Sequence, residues 1–165
     1  MKSKELVNLM LSPQWASKLL HHFLCGVMKI NSQGVKTELL YLMLPLLVDD
    51  TTRIRIKANI KSTFFTTFIK NNSLKGDDLL EFKKALFAKN DQIEEYKEYT
   101  NRGLIYLGNI SKISIGQRTY IDTTISYLDE PISIRGYCKA AHYLGIIFSK
   151  EDHFNIFLKL GITNI

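Results

Sequence analysis

From Glu38 to Val48 the chain reads ELLYLMLPLLV, and Asp49, Asp50 and a run of bases follow at once. A helix that is apolar on every side must be covered on every side, so the other helices are expected to pack around this one. The run has about half of the roughly twenty residues that a bilayer demands, so it reads as a buried central helix. Pro45 lacks an amide donor and crowds the carbonyl four residues before it, so the helix should kink or end nearby. A polar substitution such as Leu44→Asp would leave a charge unpaired in the core.

The remainder is that of a soluble globular chain: 45% hydrophobic and 23% charged residues over 165 positions suffice for one buried core. Ser12-Pro13 is a hydroxyl cap followed by proline at the first helical position. Trp15, Leu19, Leu20, Phe23, Leu24, Val27 and Met28 then recur at helical spacing, which predicts a helix over 13–30. Asn31 to Gly34 break it, and Thr37 is placed to cap the central helix. In TRIRIKANI (52–60), Ile54, Ile56, Ala58 and Ile60 alternate with polar residues at strand period, but no strand lies beside them. The segment reads as an irregular or helical connection to a helix over 62–71.

After a loop at Asn71 to Ser73, Gly76-Asp77 opens a helix over 78–89, and Asp91 caps another. On that second helix Ile93, Tyr96, Thr100, Leu104 and Leu107 share a face, and Gly108 ends it. Ile110, Ile113, Ile115, Tyr120, Ile121 and Ile125 then predict a β-hairpin turning at Gly116-Gln117. Ser133 is read as the cap of a helix with Ile134, Tyr137, Cys138, Ala141, Leu144 and Phe148 inside. Glu151 or Asp152 starts a short last helix that Gly161 stops. The expected fold is therefore mainly α: one domain over 1–165, a helical bundle with one β-hairpin, winged-helix-like. Its parts are an N-terminal segment (1–11), the hairpin (109–126) and the C-terminal helices (133–162).

Catalytic motifs are sparse. Gly34-Val35-Lys36-Thr37 lacks the upstream glycine of a phosphate loop, and Val35 separates glycine from lysine. His21 and His22 point about 100° apart on a helix, unlike the i, i+4 pair that holds a metal. His142 and His153 have no ligands at metal spacing, so the histidines read as structural or solvent-facing. Asp49-Asp50 and Glu94-Glu95 flank no nucleophile. Cys25 and Cys138 read as buried thiols of a reducing cytoplasm rather than a disulfide or metal pair. MKSKELVNLML (1–11) is interrupted by Glu5 and Asn8 and has no cleavage site, so it does not read as a signal peptide. No catalytic residue, cofactor or metal is expected, and the chain reads as a protein without enzymatic activity.

The most distinctive polar stretch runs from Thr51 to Gly76. It carries Arg53, Arg55, Lys57, Lys61, Lys70 and Lys75 without an acidic residue, and Phe64, Phe65 and Phe68 lie among them. With a net charge of +6, these bases suit nucleic-acid phosphates or an acidic protein surface. The phenylalanines suit a helix core better than a stacking platform. The hairpin with Lys112, Arg118 and Tyr120 reads either as a wing touching DNA or a protein or as a structural flap.

Taken in order, these segments resemble a family. The helix opened by Ser12-Pro13, LLYLMLPLLVDDTTR (39–53), FTTFIKNN, FKKALFA, YKEYTNRGLIYLGN, the isoleucine-rich hairpin and KAAHYLGIIFSKEDHFNIFLKLGI (139–162) together resemble the middle component of bacterial three-component ABC systems, among them the Lamassu anti-phage systems. The pairs Thr52-Arg53, Leu144-Gly145 and Leu160-Gly161 match its pattern. Asp49-Asp50 depart from it, where histidine or lysine is frequent. The resemblance implies a cytoplasmic, non-catalytic adaptor that joins an SMC- or Rad50-like coiled-coil ABC ATPase to a nuclease-like effector in anti-phage or anti-plasmid defence, with DNA reached through the complex and no membrane. Such an adaptor would use exposed aromatics, here Tyr96, Tyr99, Tyr120 and Tyr127, as interface. A stand-alone winged-helix DNA-binding protein is the alternative.

Overall fold

The computed structural model describes residues 11–58 and 77–162. The first helix, α1 (Pro13–Ile30), begins as the sequence implies. The Ser12 hydroxyl accepts the Trp15 amide at 3.3 Å, and proline occupies the first turn. Its stripe of Leu19, Leu20, Phe23, Leu24 and Val27 is buried, and so are His21, His22, Cys25 and Gly26 on its other sides. The helix enclosed on nearly all sides is thus α1. Its polar residues are paired internally, which the 3.6-residue pattern of apolar positions does not reveal.

The apolar run is also core: Leu40, Met43, Leu44 and Leu47 are fully buried. It forms two pieces, a 3-10 segment (Thr37–Leu42) and α2 (Met43–Val48). The break precedes Pro45. Proline sits in the first turn of α2, where amides have no intrahelical acceptor to lose. Thr37 does not cap the run by its side chain. Its hydroxyl bonds the Gly116 carbonyl and lies 2.9 Å from the Thr119 hydroxyl, pinning the segment to the hairpin.

Asp49 closes α2 and caps α3 (Asp50–Ala58), accepting the Thr52 amide at 2.9 Å and its hydroxyl at 2.6 Å. The alternating isoleucines are therefore helical through Ala58. Ile56 is buried and Ile54 is 61% exposed, as expected two positions apart on a helix and not on a strand. The expected helix over 62–71 and the loop at 71–73 lie outside the described residues.

A single long helix, α4 (Asp77–Ile110), replaces the two expected there. Asp91 is an exposed residue in its middle, not a cap, and Gly108 lies inside the last turns. No proline or glycine interrupts 77–102, so an acidic residue alone cannot end the helix. The anticipated face holds: Tyr96, Thr100, Leu104 and Leu107 are buried and Ile93 packs against the core.

The hairpin is present as β2 (Ile113–Ile115) and β3 (Arg118–Ile121), turning at Gly116-Gln117. It belongs to a three-stranded antiparallel sheet, because a short strand β1 (Val35–Lys36) pairs with the free edge of β3. Gly34, at φ +80°, permits this. A Cβ there would stand 2.1 Å from the Thr119 carbonyl oxygen. The Gly-Val-Lys-Thr stretch is thus a strand entry.

A 3-10 turn (Tyr127–Asp129) leads into α5 (Ile132–Ser149). Pro131, not Ser133, occupies the cap position, and its carbonyl accepts the Ile134 and Arg135 amides. Of the expected inner face, Cys138, Ala141, Leu144 and Phe148 are buried, while Ile134 and Tyr137 are half-buried. The last helix, α6 (His153–Lys159), is capped by Asp152, whose carboxylate accepts the Phe154 amide at 3.0 Å. Gly161 ends it at φ +68°.

Helix α1 packs most extensively on α5 and next on α4. At the α1–α5 crossing the backbones nearly touch. A Cβ on Gly26 would lie 1.9 Å from the His142 carbonyl oxygen, and one on Gly145 would lie 2.1 Å from that of Phe23. Leu144-Gly145 therefore marks a helix contact that only glycine permits. No described helix is long and apolar enough to cross a membrane.

Candidate functional site

The described bases are largely engaged within the fold. Arg53 donates to the Leu47 carbonyl at 3.0 Å, pairs with Asp50 and stacks over the Tyr137 ring at 4.0 Å. It ties the α2–α3 junction to α5. Arg118 donates to the Gly34 carbonyl at 2.8 Å, bracing β1 on β3. Arg55 is half-buried on α3, and Lys112 is exposed and pairs with Asp122 at 3.3 Å. Lys57 lies on α3; Lys61, Lys70, Lys75, Phe64, Phe65 and Phe68 lie outside the described residues.

The tyrosines divide. Tyr96 is buried, its ring 6.3 Å from that of half-buried Tyr99, so it serves the core. Tyr120 is exposed on β3. Tyr127 is half-buried, with its hydroxyl 3.4 Å from that of Tyr143 and its ring 5.2 Å from His142.

The polar constellation that the tertiary structure does assemble lies between α1, α5 and residues 123–130. That segment is strapped along α1. His21 Nε2 is 2.9 Å from the Thr123 carbonyl, and the Ile125 amide donates to Cys25 Sγ at 3.3 Å. Lys18 Nζ reaches both Glu130 carboxylate oxygens at 2.8 and 2.9 Å, and His22 Nε2 lies 2.9 Å from one of them. Arg135 holds the Glu130 carbonyl from the first turn of α5. Cys138 lies beside this pair: one ligand atom each from His22, Glu130 and Cys138 falls within 4.8 Å of the others.

The electrostatics follow from burial. Burial alone would raise the Glu130 pKa, but the hydrogen bonds and charges of Lys18 and His22 outweigh it and hold the carboxyl below its ordinary value. Burial lowers the His22 pKa against the opposing pull of Glu130, so the imidazole is neutral at pH 7. Burial, aided by the Glu130 charge, pushes the Cys138 thiol up to about 12, and burial also raises Cys25. Neither sulfur is a nucleophile at neutral pH.

Beside the cluster opens a cleft of about 810 Å³ lined by Lys18, Cys25, Lys29, Tyr127, Glu130 and His142, among others. His142 is 3% exposed. Burial, with Lys29 and His22 adding to it, lowers its pKa to about 4. The cluster escapes a search by spacing because His22 lies 108 residues from Glu130.

The family model of the ABC-three component (ABC-3C) system Middle Component 3 matches the chain over residues 2–164. No curated protein and no solved structure matches it.

Proposed function

The chain belongs to the ABC-3C Middle Component 3 family, and from that premise we propose that it is a non-catalytic adaptor bridging an SMC- or Rad50-like ABC ATPase to a nuclease-like effector, in a Lamassu-type or related defence complex. The match over nearly the whole chain carries this reading. The surface supports it. Large apolar side chains stand exposed on several elements: Ile54 on α3, Ile105 on α4, and Phe154 and Leu158 on α6. Phe154 and Leu158, at 65% and 73% exposed, are one turn apart and form an apolar stripe suited to a protein partner. The arginines at 53 and 118 hold the chain's own carbonyls, which favours a protein-binding adaptor over a stand-alone DNA-binding protein.

Bridging is tested by co-expressing the three components with a tag on the ATPase. Effector should be recovered with the ATPase only when this chain is present. Recovery of effector without it would sink the adaptor reading. Salt-dependent binding of the isolated chain to DNA, weakened stepwise on neutralising Arg55, Lys57 and Lys61, would instead support the DNA-binding alternative.

A further inference from the structure

We propose that His22, Glu130 and Cys138 constitute a divalent-metal site of the zinc class, with its fourth position facing the cleft. Imidazole, carboxylate and thiolate are all zinc ligands, and three protein ligands plus water is an established arrangement for that ion. Their ligand atoms already lie within 4.8 Å of one another, and tetrahedral zinc separates its ligands by roughly 3.4 Å, so the His22–Glu130 pair at 2.9 Å opens slightly and the longer separations close by at most about 1.5 Å. Two ligands come from α1 and α5, helices held together by the Gly26 and Gly145 contacts. The third, Glu130, lies just before α5 and can adjust to them.

The site already holds a positive charge. The Lys18 ammonium sits on both Glu130 oxygens, and its side chain is 38% exposed, so a metal ion can displace it towards solvent. Lys18 and Glu130 line the cleft, which supplies an entry path and water for the open position. His22 would bind through Nε2 with its ring proton on Nδ1. That nitrogen has no hydrogen-bond partner among the described residues, so the tautomer change breaks no other bond. Protons balance simply. The neutral imidazole offers a lone pair, Glu130 is already ionised, and the Cys138 thiol gives its proton to solvent as the metal–sulfur bond forms. Affinity should therefore fall as pH falls.

The test is cobalt(II) titration of the full chain after chelator treatment. The expected result is one equivalent bound, with an intense near-ultraviolet thiolate-to-cobalt band and visible bands of four-coordinate cobalt, all reversed by zinc. Cys138→Ser should lose the near-ultraviolet band while keeping its circular dichroism. Glu130→Gln should weaken binding at least tenfold. Lys18→Met, which removes the competing ammonium, should tighten it. A wild-type titration without the near-ultraviolet band, or a band that survives in Cys138→Ser, would overturn the proposal. Should Cys138→Ser fail to fold, unchanged affinity in Glu130→Gln would overturn it equally.

Discussion

At the scale of single residues, two glycines do work that no other side chain can. Gly26 and Gly145 let α1 and α5 approach until carbonyl oxygens occupy the space of a Cβ. Alanine at either position has to push backbone aside, so each should cost about 3 kcal/mol or more by urea unfolding. Gly108, where a Cβ would meet nothing nearer than Ile113 at 3.7 Å, is the control. Gly108→Ala should be neutral or stabilise by up to about 1 kcal/mol. Equal losses at Gly26 and Gly108 would refute the close crossing. His142 supplies a pH dependence. Its folded pKa of about 4 lies below the ordinary 6.5, so between these values the unfolded chain binds a proton that the folded chain does not. Stability should fall as pH drops through that window, by up to about 1.4 kcal/mol per pH unit. His142→Leu should flatten the slope of unfolding free energy against pH. A slope unchanged by the substitution would exclude His142 as its source.

At the scale of elements, caps separate what sequence reading anticipated from what folding produced. Asp49 and Asp152 accept main-chain amides at the starts of α3 and α6, whereas Asp91 lies exposed within α4. Asp49→Ala and Asp152→Ala should each cost about 1 kcal/mol, and Asp91→Ala less than about 0.5 kcal/mol. A loss at Asp91 matching the other two would mean that α4 is two helices. The face of α4 was legible from Tyr96, Thr100, Leu104 and Leu107, because burial imprints itself every three or four residues. Its continuity was not legible, since an aspartate after an asparagine is equally at home in a cap or on a solvated face. The β2–β3 pair announced itself through isoleucines on either side of Gly116. Strand β1 did not, because two residues carry no period.

At the scale of the whole molecule, α1 is the hub and the Glu38–Val48 run one wall of the same core. Leu44→Asp buries an unpaired charge and should abolish cooperative unfolding and recovery of the complex together. Phe154→Ser combined with Leu158→Ser removes exposed apolar surface and, within the fold, the Phe154 ring contact with neighbouring His153. That pair should leave the melting temperature within a few degrees while lowering recovery of ATPase or effector. Unaltered recovery would place the partners on other faces.

The chain's own pattern determined that this is a mainly helical protein with a late hairpin, and the order of its segments pointed to its family. Those properties rest on local periodicity, caps and composition, which physics writes into neighbouring residues. Only the tertiary structure decided that Arg53 and Arg118 brace the fold. It also decided that Lys18, His22, Glu130 and Cys138 meet beside one cleft. Lys18 and Glu130 are 112 residues apart. Their meeting depends on how closely α1 and α5 cross, and that distance is set by two glycines that carry no polar signal of their own.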